Sequence, residues 1–358
     1  MTSQSARSAA LLVKKCNIKS DNYHGDLARS AYFYDLCYSA LPYMINMQQL
    51  FLDGMYFTRP FLKIFQSWPH LEGIRLLDCW SVKKFTKNDC HHLSKIKFRY
   101  IEIVYTSDVD FLEEDSNDER DYYRLEKFLY NIDYEFSKHI KTNLYLCYKK
   151  LYESDTLRFQ NLTALDLCQL NHTKALKGIL QCTPSLKYLR VAFVGLIASH
   201  VREPTHLDPE IATSLEIVDI PFSILEMIVP GRPIRIATVT CDEFNRIGSL
   251  PQPVQNEIRI LEASTGRISQ LRIPVTFYLE VPFAEHFVDL RILEIYFFCE
   301  KYSICTARSM FAIEQVSTMC FSTLKSLIVS DLMALLGTGH INSDGSMVAS
   351  TFLGHSRF

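Results

Sequence analysis

The residues best suited to chemistry are Cys90, His91 and His92, which are adjacent in the polar segment KKFTKNDCHHLSK (83–95). A thiol beside an imidazole is the pair that cysteine nucleophiles use, and both groups are also good zinc ligands. Zinc needs four well-placed ligands, usually from two separated pairs, and the sequence offers no second cluster. We therefore expect a structural role here, and a cysteine/histidine enzyme around Cys90 and His91 stays open as an alternative.

Other catalytic signatures are missing from the sequence. It contains no GxSxG, HExxH, phosphate-binding glycine loop or GxGxxG. The acidic run DVDFLEEDSNDERD (108–121) is rich in carboxylates, but a solvated loop does not tune the pKa of a carboxyl group for catalysis. The sequence therefore predicts a protein that is not an enzyme and needs no cofactor and no metal.

The composition is that of an ordinary globular protein. Of 358 residues, 48% are hydrophobic and 22% charged, with a net charge of -2. This balance gives no electrostatic footprint for nucleic acid or an anionic membrane, and no apolar run approaches the roughly 20 residues that span a bilayer. The 11 scattered cysteines, an odd number, favour free thiols in a reducing compartment. We predict an intracellular protein, cytoplasmic or nuclear, without nucleic-acid or membrane partners.

The elements that carry these residues are predicted by a repeated apolar triplet. An apolar anchor, numbered position 0, is followed by apolar residues at positions +3 and +5, and many steps between anchors are 22–29 residues. Larger steps of 64, 53 and 34 residues indicate insertions or skipped units. The nine triplets are Met47/Leu50/Leu52, Leu71/Ile74/Leu76, Phe98/Ile101/Ile103, Leu162/Leu165/Leu167, Leu186/Leu189/Val191, Leu215/Val218/Ile220, Ile268/Leu271/Ile273, Leu290/Leu293/Ile295 and Leu324/Leu327/Val329.

This spacing predicts an α/β fold, a leucine-rich-repeat-like solenoid with irregular repeats. Positions +3 and +5 of a strand point into the core, and stacked units bury together what one unit cannot bury alone. A curved parallel sheet would carry helices on its outer face. Segments 59–70 and 173–185 have the apolar spacing of such helices. The alternative is an α/β domain with unrelated strands.

Position +4 points outward between the two inward residues, and it is charged in seven of the nine triplets. In a parallel stack these side chains form one row on the concave face, where solenoids bind partners. The row can also be charged simply because it is solvated. The nine residues are Phe51, Arg75, Glu102, Asp166, Arg190, Asp219, Arg272, Glu294 and Ile328. We predict that the seven charged ones contact a protein partner.

The domain organisation follows from where the triplets stop. Residues 1–22 are predicted to be flexible, 23–336 to form the repeat domain, and 337–358 to be an irregular tail rich in Gly and Ser. Within the repeat domain we expect a cap helix at about 25–42 and, at about 108–155, an acidic loop followed by one or two amphipathic helices.

The segment IVPGRPIRIATVT (228–240) is predicted to be a corner that leads into a strand. Pro230-Gly231 suits the centre of a type II turn, and Pro233 favours an extended Arg232. Two prolines remove N–H donors, which argues against a phosphate-binding loop. The strand register stays open between Ile234/Ala237/Val239 and a pattern with Ile234 and Ile236 inward. Arg232 is a candidate contact at the rim.

Together, DLARSAYFYDLCYSALPYMINMQQLFLDG (26–54), FLKIFQSWPHLEGIRLLDC (61–79), ILQCTPSLKYLRVAF (179–193) and IVPGRPIRIATVT resemble basidiomycete fungal F-box proteins with divergent leucine-rich repeats. The resemblance covers roughly residues 25–335. It implies repeats that recruit a substrate and an N-terminal F-box that docks on the adaptor of an SCF-type ubiquitin ligase. Residues 1–40 lack the Leu-Pro-x-Glu type of F-box opening.

Two readings of the function follow. The first is a non-enzymatic module that binds a protein partner on its concave face. The alternative is a retained SCF-type subunit that recruits substrates for ubiquitination, with residues 1–45 as a remnant adaptor-binding helix.

Overall fold

A computed structural model describes the chain in two compact units, which are Met1–Leu186 with Gly195–Ile197, and Lys187–Val194 with Ala198–Phe358. The description covers residues 8–20, 35–81, 93, 95–105, 123–124, 136–142, 159–168, 170, 173–192, 207–240, 255–274, 286–296, 326–330, 340–341 and 347–348.

The first unit contains six parallel strands whose order in the sheet is their order in the chain. They are β1 (Lys15–Lys19), β2 (Gln49–Asp53), β4 (Gly73–Leu77), β6 (Tyr100–Val104), β8 (His139–Thr142) and β9 (Ala164–Leu167). A small second sheet joins β3 (Tyr56–Phe57), β5 (Trp80–Ser81) and β7 (Tyr123–Arg124). Parallel neighbours in chain order need a return segment after every strand, as leucine-rich repeats have.

The second unit repeats this arrangement with six more parallel strands in chain order. They are β10 (Tyr188–Val191), β11 (Ile217–Pro221), β12 (Ile236–Thr240), β13 (Gln270–Pro274), β14 (Ile292–Tyr296) and β15 (Ser326–Ser330). A hairpin of β16 (His340–Ile341) and β17 (Met347–Val348) follows. Each unit is therefore a leucine-rich-repeat-like α/β stack, which confirms the predicted fold class.

The apolar triplets form the core of both units. In the first eight triplets, every side chain at positions 0, +3 and +5 is at most 5% exposed. Burying a Leu or Ile side chain contributes about 1.5–3 kcal/mol, so the stacked rows of these buried residues are the main stabilising feature of each stack. The side chains of the ninth triplet lie outside the described residues.

The return segments include the two helices predicted from apolar spacing. α1 (Arg59–Ile64) begins at Thr58, whose hydroxyl accepts the Phe61 N–H at 3.3 Å, and it buries Phe61 and Leu62. α2 (Thr173–Gln181) buries Leu176, Ile179 and Leu180, three residues spaced for one face of a helix. α3 (Leu225–Ile228) and α4 (Gln255–Glu262) lie in the second unit.

One backbone junction recurs at position +1 of the repeats. Its carbonyl accepts two N–H groups from the residues at positions +1 and +2 of the next repeat, at 2.7–3.2 Å. For example, the Glu72 carbonyl binds Arg99 and Tyr100, and the Arg99 carbonyl binds Lys138 and His139. We call this pair of hydrogen bonds to one carbonyl the doubled junction. Its acceptors are Lys14, Gln48, Glu72, Arg99 and Lys138 in the first unit, and Lys187, Glu216, Arg235 and Ser269 in the second.

Two of the large steps between anchors conceal a repeat. The 64-residue step contains β8, whose inward residues Ser137, Ile140 and Thr142 are all fully buried. The 53-residue step contains β12, with Ile234, Ala237 and Val239 inward and Ile236 half-exposed, which resolves the register left open above. The third large step separates β14 from β15, which pair directly, so it contains an insertion.

Three boundary predictions need correction. Residues 15–19, predicted to be flexible, form β1, whose alternation of Cys16 and Ile18 with polar residues is too weak to recognise alone. Part of the predicted helical insertion is instead the strand β8, because a polar anchor hides its triplet. The predicted irregular tail contains the hairpin β16–β17. The cap helix is present at 35–40, whereas residues 25–34 and the acidic run lie outside the described residues.

The predicted corner at Pro230-Gly231 is confirmed, but Arg232 is not a rim contact. Gly231 has a φ of 75°, the left-handed region that glycine favours. Arg232 is fully buried, and its guanidinium donates to the carbonyls of Asp208, Ile211, Ile228 and Pro230 at 2.9–3.0 Å. Burial lowers the pKa of Arg232, while Asp208 opposes that effect. This cation fastens a loop to the end of α3.

Candidate functional site

The outward residues at position +4 form one in-register column on the sheet of the first unit, as predicted. Each residue pairs directly with the next, in the order Asn17, Phe51, Arg75, Glu102, Lys141 and Asp166. Neighbouring strands lie about 4.8 Å apart, so adjacent side chains of the column are close enough to interact. The last four alternate in sign, with two cations and two carboxylates. We call all six residues the first charge column.

The second unit carries an equivalent second charge column. Its members are Arg190, Asp219, Thr238, Arg272, Glu294 and Ile328, again paired strand to strand. The side chain of Ile328 lies outside the described residues. The four charged members again comprise two cations and two carboxylates, separated in the middle by Thr238.

Glu102 is the centre of the first charge column. Its carboxylate lies 3.2 Å from Arg75 Nε and 2.9 Å from Lys141 Nζ, and it accepts a short hydrogen bond from the Tyr100 hydroxyl. Its side chain is only 5% exposed, compared with 46% for Arg75. One buried carboxylate thus receives donors from two neighbouring strands and from its own, an arrangement that holds all four side chains in place.

The pKa of Glu102 follows from this arrangement. Burial alone would raise it, but the hydrogen bonds from Tyr100 and Lys141 and the charges of Lys141 and Arg75 lower the pKa below its usual value. Burial and the bond to Glu102 raise the pKa of Tyr100. Burial lowers the pKa of His139, whose ring lies 4.9 Å from that of Tyr100. Glu102 is therefore ionised at neutral pH, as an internal counter-ion.

The second charge column is paired in the same way. Arg190 Nε lies 3.2 Å from Asp219, and Arg272 Nε lies 3.0 Å from Glu294. The Arg272 guanidinium also lies 5.1 Å from the centre of the Tyr296 ring, within reach of a cation–π contact. Burial raises the pKa of Asp219, although Arg190 and Arg272 both oppose that rise.

These ion pairs determine which of the predicted site residues a partner could reach. Glu102 and Asp166 are buried, at 3% and 6% exposure, so a partner would reach them only by displacing their neighbours. Arg75 is exposed, and Arg190, Asp219, Arg272 and Glu294 are half-exposed, so these five present polar atoms at the surface. The row is therefore a neutral, self-paired strip rather than a set of isolated charges.

A second column, at position +2, runs beside the charges in the second unit and is largely apolar. It consists of Tyr188, Ile217, Ile236, Gln270 and Ile292, paired in register and all half-exposed. We call it the apolar column. Half-exposed isoleucines beside paired charges give this sheet face the mixed apolar and polar character of a protein–protein interface.

Sequence reasoning missed three features of this face. Lys141 was missed because β8 was assigned to a helical insertion, and Thr238 because the register of β12 was open. The 64-residue step and the sequence SKHIKT (137–142), with one apolar residue at position +3, were the available signals for Lys141. The apolar column was missed because an outward isoleucine resembles a core residue when only one strand is considered.

Cys90, His91 and His92 lie outside the described residues. Within the described ranges no group of three metal-ligating side chains comes together, and Cys16, Cys37, Cys79, Cys168 and Cys182 are free thiols. Burial raises the pKa of Cys79 to about 12, so this thiol is not a nucleophile at neutral pH.

The strand order, the register and the buried triplets define a leucine-rich-repeat-like protein. No protein-family model matches the chain, and no curated protein matches it in sequence. One similar solved structure is an internalin, InlF, from Listeria monocytogenes strain 4b F2365. It is 12% identical, the match covers 92% of this chain and 86% of the internalin chain, and the TM-score is 0.35. A likeness of that size adds nothing to the fold assignment.

Within the described ranges, no helix combines the length and the apolar character that crossing a bilayer requires.

Proposed function

We propose that this protein is a non-enzymatic interaction module that binds a protein partner on the outward face of its strands. The observation that carries the proposal is the apolar column beside the second charge column. Parallel strands place four half-exposed apolar side chains, Tyr188, Ile217, Ile236 and Ile292, on one face together with four paired charges. Leucine-rich-repeat stacks commonly bind partners on this face, which supports the same proposal.

The partner is expected to match this strip by shape and by burial of the isoleucines. The charges already have counter-ions within the protein, so they select a partner by position rather than by net attraction. A partner would place its own apolar side chains over the apolar column and polar groups over Arg190, Asp219, Arg272 and Glu294. We also propose an intracellular location, on the strength of the cysteine content alone.

The test compares the proteins that co-purify with three forms of the chain. The double variant Ile217→Asp/Ile236→Asp places charge in the apolar column and is expected to lose the specific partner, with at least about a tenfold loss of affinity. The swap Arg190→Asp/Asp219→Arg keeps an ion pair but inverts its direction, so it should fold normally and also weaken binding.

The matched control reverses two exposed charges on the helices of the second unit, Glu226→Arg and Arg259→Glu. It should bind like wild type. The proposal fails if this control loses the partner, or if both strand-face variants keep it while their thermal unfolding midpoints match wild type.

A second candidate function, an SCF-type subunit, is favoured by one observation. Leu11, Leu12, Tyr43 and Ile45, all within residues 1–45, are 38–80% exposed. An adaptor that covers them would bury apolar surface that is otherwise in water. Together with the resemblance to F-box proteins this supports adaptor binding as a proposal. Co-purification of the adaptor, lost on Leu12→Asp, would support it, and its absence from wild-type preparations would refute it.

A further inference from the structure

A basic groove lies in the first unit, beside the segments through which the chain enters strands β4, β6, β8 and β9. It has a volume of about 910 Å³, and its described lining residues come from the segments 65–72, 95–99 and 136–138 and from Asn161. None of its residues belongs to either charge column. It is therefore a separate feature from the strand face.

The charge of this groove differs from that of the whole chain. Among the described lining residues four are cations, Lys95, Lys97, Arg99 and Lys138, and one, Glu72, is a carboxylate. Four positive charges and one negative charge leave +3, on a protein whose net charge is -2. Such a local excess attracts an anionic ligand even though the whole molecule is slightly acidic.

Most of these cations are available to a ligand. Arg99 lies 3.4 Å from Glu72, which offsets one charge. Among the described residues no ion pair joins Lys95, Lys97 or Lys138, and all three side chains are exposed. The Lys97 amine lies 4.5 Å from the centre of the Phe136 ring, a contact that positions the amine without neutralising it.

The same geometry argues against phosphate as the ligand. A phosphate-binding loop offers several free backbone N–H groups. Here the N–H groups of Glu72, Arg99, Lys138 and Thr163 are all donated to carbonyls of the preceding repeat, through the doubled junction. Attraction is left to flexible side-chain amines spread over successive loops, which suits carboxylates spread along a chain.

The aromatic residues argue against single-stranded nucleic acid, which needs open ring faces for base stacking. Trp68 and Phe65 are 1% exposed, and the indole N–H of Trp68 is donated to the Leu41 carbonyl. Phe136 is half-buried, and the Lys97 amine lies over its ring. None of the described Phe and Trp rings in the lining thus offers an open face for base stacking, and His70 is the one exposed aromatic ring.

We propose that this groove binds an acidic segment of a partner protein, with Lys95, Lys97 and Lys138 as the groups that receive its carboxylates. The carboxylates would pair with the three amines, and the bound segment would run across the entrances to β6 and β8. This site is independent of the strand face, so either proposal can fail without the other.

The test uses a fluorescein-labelled peptide of eight glutamates and measures anisotropy at about 50 mM NaCl, where surface charges are weakly screened. The triple variant Lys95→Glu/Lys97→Glu/Lys138→Glu is expected to weaken binding by at least about tenfold. The matched control is Lys187→Glu/Arg235→Glu/Arg291→Glu. It changes net charge equally and lies at position +1 of three repeats in the second unit, where all three side chains are exposed.

Retained affinity in the control, together with the loss in the triple variant, supports the proposal. It is overturned if both variants lose affinity equally, if wild type does not bind the peptide below about 1 mM at low salt, or if octathymidylate binds the groove more tightly than the peptide. Far-UV circular dichroism checks folding. Should the charge reversal unfold the chain, Lys95→Gln/Lys97→Gln/Lys138→Gln replaces it, with an expected loss of about threefold or more.

Discussion

At the scale of single residues, two buried charged groups of this protein, Arg232 and Glu102, are each matched by several partners. Arg232 meets four carbonyls, and Glu102 meets Arg75, Lys141 and Tyr100. A buried cation or carboxylate without such partners would cost several kcal/mol, so these clusters hold the surrounding loops and strands in one arrangement. The residues matter through the partners they satisfy more than through charge alone.

Arg232 gives the sharpest prediction at this scale. Arg232→Lys keeps the charge but cannot reach four carbonyls in separate directions, so we expect a loss of about 2–4 kcal/mol in the free energy of unfolding, measured in urea. Arg235→Lys is the control, three residues away and exposed, and should change stability by less than about 0.5 kcal/mol. Equal unfolding midpoints for the two variants would contradict the role given to Arg232.

At the scale of elements, β8 shows how far the repeat depends on one residue. Ser137 and Thr142 replace the usual apolar residues at positions 0 and +5, and the Ser137 hydroxyl donates to the Phe98 carbonyl at 3.0 Å. Ile140, at position +3, is then the one large apolar side chain that β8 contributes to the core between the triplets of β6 and β9. The strand is held by its two neighbours as much as by its own sequence.

We therefore expect Ile140→Ala to lower the free energy of unfolding by about 2–5 kcal/mol, because it removes buried methyl groups that the neighbouring strands cannot replace. Lys138→Ala, in the same segment but exposed, is the control and should be nearly neutral. Urea unfolding followed by circular dichroism measures both variants. If Ile140→Ala behaved like Lys138→Ala, Ile140 would not be a core residue and the register of β8 would be wrong.

The sequence predicted those parts of the fold that leave a repeated pattern along the chain. The nine triplets predicted their strands because three apolar residues at fixed spacing leave a pattern in the chain itself. β8 was missed because its buried residues Ser137 and Thr142 are polar, so two of the three positions of its triplet are not apolar. Arg232 was misplaced because its carbonyl partners belong to segments about 20 residues upstream as well as to its own turn. The apolar column required the pairing of five strands.

At the scale of the whole molecule, the charge columns and the groove differ in whether their charges are paired. Each charge column contains equal numbers of cations and carboxylates, whereas the groove carries a local excess of +3 on a chain of net charge -2. Paired charges produce little field at a distance, and an excess of one sign produces a field that salt screens.

The two surfaces should therefore respond differently to salt. Raising NaCl from about 50 to 300 mM is expected to weaken binding of the glutamate peptide more than about tenfold, but to change the affinity of a strand-face partner less than about threefold. Titrations at several salt concentrations measure both slopes. Equal slopes would mean that the two ligands share one surface, or that the charge columns are not paired in solution.

The doubled junction has a consequence for how such a chain changes over evolutionary time. The junction is made by the carbonyl at position +1 and by N–H groups, which every residue except proline supplies, so it does not depend on which side chain stands there. Lysine, glutamine, glutamate, arginine and serine all occupy it in this protein. The side chain at position +1 can therefore change in charge without breaking the doubled junction. A change of specificity at this position, such as one at Arg99 or Lys138 in the groove, would therefore need no change in any strand.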